Sequence, residues 1–86
     1  MTHIYKKGER FEGEVTKILD FGAFVKIAEN TEGLVHISEI ANFRLEKVND
    51  YLTVGQKIPV IIKEVDERDR IKLSLKEADP NFIKKK

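Results

Sequence analysis

The chain has 86 residues, a length that suits one compact domain with an economical core. With 41% hydrophobic residues, no cysteine and a net charge of +1, it is neither a disulfide framework, a thiolate metal site nor a histone-like polycation. No apolar run is long enough to cross a bilayer as a helix, and no charged-then-apolar leader follows Met1, so a soluble cytoplasmic domain with no membrane partner is expected.

The pattern along the chain is that of a β protein. Residues 1–7 are expected to be a linker or flexible N-terminus. Phe11–Ile18 mixes apolar and polar residues at short period and predicts a first strand. Gly13 within it suggests sharp coiling or a close backbone approach. Asp20-Phe21-Gly22 predicts a turn. Ala23, Val25 and Ile27 then alternate with Phe24 and Lys26 to form a second, half-buried strand. Ala28–Gly33 is expected to be a polar loop, and Leu34–Ile37 a short third strand. From Ser38 to Leu52 the period of two fades, and helical pieces are expected, for instance around Glu46–Leu52.

Lys57–Asp66 returns to strand, with Ile58, Val60 and Ile62 on one face and Ile61 and Val65 on the other. Pro59 cannot donate a ladder bond and should lie at the strand's start or on an edge. Glu67-Arg68-Asp69 predicts a hairpin loop. Arg70–Lys76 is the clearest alternation: Ile71, Leu73 and Leu75 inward, Arg70, Lys72, Ser74 and Lys76 outward. Five short strands with one long connection between the third and fourth fit an all-β, antiparallel OB-fold barrel spanning residues 8–77. Residues 78–86 are expected to form a flexible basic tail ending in Lys84-Lys85-Lys86.

Two aromatic residues stand out. Phe24 alternates with inward-facing Ala23 and Val25 and should point outward. Phe21, three residues earlier, would lie on the opposite face unless Gly22 allows a turn or bulge. One reading makes the pair stacking platforms for nucleic-acid bases. The other makes Phe21 a core plug and covers Phe24 with the 38–52 connection. Periodicity leaves both open.

His36 shares the outward face of the third strand with Leu34 and could extend an aromatic patch. Asp66 and Arg70 flank the hairpin loop. They form either a surface ion pair of little weight or a device holding the guanidinium flat for phosphate or base contact. Lys26, Lys72 and Lys76 add diffuse positive potential. Charge is uneven: residues 1–43 carry five basic and seven acidic side chains, residues 44–86 eleven basic and eight acidic. Bulk phosphate attraction alone would therefore explain nucleic-acid binding poorly.

Catalytic chemistry finds no support. Ser38 lies near His36, but no orienting carboxylate is evident, and Ser38 suits a cap or turn. Neither phosphate-loop glycine motif is present. His3 and His36 are too far apart to suggest a zinc site, so no metal and no cofactor are expected.

Taken in order, Gly13-Glu14-Val15, Asp20-Phe21-Gly22-Ala23-Phe24-Val25, Glu32-Gly33-Leu34-Val35-His36-Ile37-Ser38, Val54-Gly55-Gln56, Val65-Asp66 and Arg70-Ile71-Lys72-Leu73-Ser74 resemble the successive signatures of the S1 RNA-binding family. The resemblance implies an OB barrel that binds single-stranded RNA on a face centred on the second and third strands. It implies RNA-binding roles for Phe21, Phe24, His36, Asp66 and Arg70, with Lys26 and Lys72 as weaker contributors. Residues 40–52 further resemble the connection in the C-terminal S1 domain of bacterial polynucleotide phosphorylases, with departures at Phe43 and Leu45. That likeness implies a monomeric module taken from a homotrimeric phosphorolytic ribonuclease whose catalytic core is absent here.

Overall fold

In a computed structural model that describes residues 5–68 and 70–83, five strands close into a barrel. They are β1 (Arg10–Leu19), β2 (Gly22–Ala28), β3 (Thr31–His36), β4 (Lys57–Val65) and β5 (Ile71–Ser74), hydrogen-bonded in the order β1-β2-β3-β5-β4 with β4 closing on β1. Every neighbouring pair is antiparallel except β3–β5. This is the five-stranded OB-fold barrel expected from the sequence, with one parallel seam.

β1 is long enough to serve both halves of the barrel. Its first half pairs with β4, from Arg10 opposite Ile61 to Glu14 opposite Lys57. Its second half pairs with β2, from Glu14 opposite Lys26 to Leu19 opposite Gly22. Gly13 lies at the crowded inner wall, where an added Cβ would collide with Val25 Cγ1. The close approach read from the sequence is real.

The core follows the period of two. Val15, Ala23, Val25, Val35, Ile58, Val60 and Ile62 are fully buried, and Ile71 and Leu73 nearly so. The 38–52 connection closes the barrel with Ile40, Ala41, Leu45, Val48 and Leu52, all buried. Two single 3₁₀ turns, Ile37–Glu39 and Val48–Asp50, supply the expected helical pieces. Pro59 is the third residue of β4, opposite Glu12. Pairing with β5 begins only at Ile61, so beside Pro59 that flank of β4 carries no strand.

Four local expectations change. The polar loop at 28–33 shrinks to Glu29-Asn30, and β3 begins at Thr31. Asn30 adopts φ 62°, the left-handed conformation that a tight hairpin needs and asparagine tolerates.

Val65 does not share a face with Ile61. An irregularity between Ile62 and Glu64 shifts the register and sets Val65 opposite the buried Ile71. β5 ends at Ser74 rather than Lys76, and the chain turns into the one-turn helix α1 (Leu75–Ala78). Ser74, expected outward, is fully buried. Its hydroxyl donates to Glu39 Oε1 at 2.9 Å and accepts the Glu77 amide at 3.3 Å, capping α1.

Packing also extends beyond residue 77. Ile83 is buried in the core cluster and Phe82 packs against it. At the other end, Tyr5 meets Phe11 edge-on at 5.6 Å, and the Gly8 amide donates to Ile62 O at 2.7 Å. The lysines expected to form a tail, Lys84 to Lys86, lie outside the described residues.

Candidate nucleic-acid interface

The outer surface of β1, β2, β3 and β5 can be read as rows of cross-strand neighbours. One row runs Lys17, Phe24, Leu34, Lys72. On one side of it lie Leu19, Gly22 and His36. On the other lie Glu14, Lys26 and Glu32, with Arg70 immediately before Ile71. At a strand rise of about 3.3 Å per residue, the sheet from the Glu32 level to the His36 level spans about 13 Å.

Phe21 lies in the turn between β1 and β2 and is 53% exposed, so it is not a core plug. Its carbonyl accepts the Ile37 amide at 2.7 Å, which draws the turn against the end of β3 beside His36. Gly22 makes that approach possible, because a Cβ there would collide with the Val35 carbonyl oxygen. Phe24 is half-buried on the outer face, flanked by Lys17 and Leu34. The fold therefore brings Phe21, Phe24 and His36 to one end of one surface. Asp66 and Arg70 lie across the Phe24 row from His36.

Asp66 acts mainly on backbone. Its Oδ1 accepts the amides of Arg70 at 2.8 Å and Arg68 at 2.9 Å, and its own amide donates to Arg70 O at 3.0 Å. The Arg70 amide is the chief cause, with the Arg68 amide and the Arg70 charge, of a carboxyl held below its ordinary range. Asp66 thus organises the loop from which the exposed Arg70 side chain projects.

The lysines differ. Lys26 stands between Glu14 and Glu32 in the strand register. Lys72 pairs with Glu64 at 3.6 Å. Lys76 belongs to α1 rather than to a strand face.

Sequence reasoning missed Lys17. Strict alternation from Val15 turns it inward, but the register slips between Val15 and Lys17 and sets Lys17 opposite Phe24. Thr16, at the irregularity, donates its hydroxyl to Phe24 O at 3.3 Å and also bonds the Glu32 carboxylate. Only a bulge, which no residue of the strand announces, could have revealed this.

His36 Nδ1 lies 2.8 Å from Ser38 Oγ and accepts the Ser38 amide at 3.1 Å. The amide occupies the lone pair a general base would need, and the pair works as a cap rather than as a nucleophile and base. Among the described residues, no cluster of three or more His, Asp or Glu side chains could hold a metal ion.

A closed five-stranded barrel of this topology, with Phe24 on its outer face and Phe21 exposed beside it, defines an OB-fold module. The chain belongs to the S1 RNA binding domain family, whose model matches residues 4–76. It is similar to a chain of the a/eIF2alpha-aDim2p-rRNA complex from Pyrococcus horikoshii OT3, at 36% identity and TM-score 0.78 over 85% of this chain and 45% of that one. GSP13 from Bacillus subtilis matches at 36% identity and TM-score 0.81 over 100% of this chain and 68% of its own. Mycoplasma genitalium RNase R, solved in complex with ribose methylated single-stranded RNA, matches at 28% identity and TM-score 0.64 over 80% of this chain and 13% of its own. This chain thus spans less than half the length of the first and the last of these relatives.

Proposed function

We propose that the domain captures single-stranded RNA with little sequence preference, stacking bases on Phe21, Phe24 and His36 while Arg70, set by Asp66, contacts the strand at the far side of the Phe24 row. The observation behind this reading is the exposure of Phe21, a large aromatic in a turn whose carbonyl accepts the Ile37 amide beside His36. A base has a π face whatever its identity, which is why stacking tolerates sequence. The RNA held by Mycoplasma genitalium RNase R, which contains a similar fold, supports single-stranded RNA as the ligand class.

Phe24→Ala should weaken binding to a short oligoribonucleotide about tenfold, within the ~1–3 kcal/mol typical of one stacked base, and leave the fold intact. Fluorescence anisotropy with a labelled oligomer measures it. Unchanged affinity in both Phe24→Ala and His36→Ala would sink the stacking model. A protein-docking module is the competing reading, and its partner binding would survive loss of Phe21, Phe24 and His36. Descent from a polynucleotide phosphorylase rests on residues 40–52 alone. It predicts that the full-length protein consumes phosphate as it degrades RNA.

A further inference from the structure

His36 divides its ring nitrogens between two tasks. Nδ1 accepts the Ser38 amide at 3.1 Å, so that the His36 side chain caps the 3₁₀ turn Ile37–Glu39. An imidazole nitrogen that accepts an amide proton carries none itself, so the neutral ring holds its proton on Nε2. Ser38 Oγ also lies 2.8 Å from Nδ1, so the amide and the hydroxyl of one residue both hold this edge of the ring beside the turn. Nε2–H lies at the opposite end of an exposed side chain, on the surface that carries Phe21 and Phe24.

We propose that His36 meets RNA as a hydrogen-bond donor through Nε2–H, with Ser38 as the positioning residue that sets its tautomer and orientation. This rests on the RNA-binding reading above and adds a directional contact to the stacking surface. The matching group on RNA is an acceptor oxygen or nitrogen, on a base or a phosphate. A ring already held by its cap loses little freedom when it binds, so a directed hydrogen bond from Nε2–H adds to stacking at low entropic cost.

The RNA-free domain provides the first test. Long-range ¹H–¹⁵N spectra of the imidazole at alkaline pH should show the proton on Nε2, and a proton on Nδ1 would overturn the proposal. Two substitutions separate the tasks. His36→Asn preserves a capping oxygen but has no donor at the reach of Nε2, whereas His36→Gln supplies a donor at that reach and caps poorly. His36→Gln, which loses the ring but keeps a donor, should bind an oligouridylate more tightly than His36→Asn and melt a few degrees lower than the unmodified domain. His36→Asn should keep the melting temperature and lose about tenfold in affinity.

Ser38→Ala should weaken binding about twofold, and Ser38→Thr should restore it. Equal losses in His36→Gln and His36→Asn would refute the donor role while leaving RNA binding in place. An unmodified domain that binds no RNA would remove both readings, whatever the tautomer. An abasic oligoribonucleotide assigns the acceptor: a shifted Nε2–H resonance with it indicates phosphate, and a shift with oligouridylate alone indicates a base. No shift with either overturns the contact.

Discussion

A methyl group at Gly22 would press into the Val35 carbonyl oxygen, a backbone atom that cannot swing aside as a side chain can. Gly22→Ala should therefore cost about 2–3 kcal/mol in urea denaturation, the upper range for overpacking. It should also disturb Phe21 and His36 by pushing the turn away from β3. Asp66 offers a pH test at the same scale. Amide donors, that of Arg70 first, lower its folded-state pKa, so its contribution is complete above the ordinary carboxylate range and fades as pH falls through the lower folded value. The Arg68 and Arg70 amides should accordingly lose their protected chemical shifts only under acid conditions, as a pH titration by NMR would record. Loss beginning near neutral pH would contradict that assignment.

Among elements, the irregularity at Thr16 has the widest effect on the candidate face, because it turns Lys17 from the barrel interior to the side of Phe24. If RNA crosses that row, Lys17→Ala should weaken binding by roughly two- to fivefold and reduce the salt slope of log K by about one. The same substitution should leave the melting temperature nearly unchanged, since the side chain is exposed. The barrel and its inward residues were legible because burial on one face of a strand writes a period of two into the chain. Phe24, His36 and Arg70 were placed on the outer face by the same logic.

Lys17 was missed and Val65 misplaced for a single reason. A bulge reverses the facing of every residue beyond it and leaves no mark in hydropathy. Ser74 eluded periodicity because its burial is secured by Glu39, which lies 35 positions away in sequence. Burial tends to raise the Glu39 pKa, yet hydrogen bonds from Lys63 and Ser74 and the Lys63 charge outweigh it, and the net shift is downward. Lys63 moves upward, chiefly through its bond to Glu39. The pair is complete between the two titrations. The contribution of Glu39 is lost as pH falls through its depressed value, and that of Lys63 as pH rises through its elevated one. Ser74→Ala removes one donor to Glu39 and the cap of α1, and should cost about 1–2 kcal/mol in the same denaturation assay.

At the scale of the whole molecule, the C-terminal segment belongs to the packed unit. Ile83 is buried in the core cluster, so Ile83→Ala should lower stability by at least about 2 kcal/mol, a loss that a free tail would not produce. Calorimetry would measure the shift in melting temperature.

The two seams that close the barrel also join distant stretches of chain. β1–β4 pairing brings residues 10–14 against 57–61, and β3–β5 pairing brings 33–35 against 71–73. The β1-β2-β3 meander, in contrast, needs only short turns. Loop-closure entropy must be met before the long-range seams return any energy, so the meander should assemble early and the seams last. Closing the two long-range seams should then limit folding, on the millisecond-to-second scale of small barrels. A core substitution in the meander would slow folding, whereas one at the β3–β5 seam would mainly hasten unfolding.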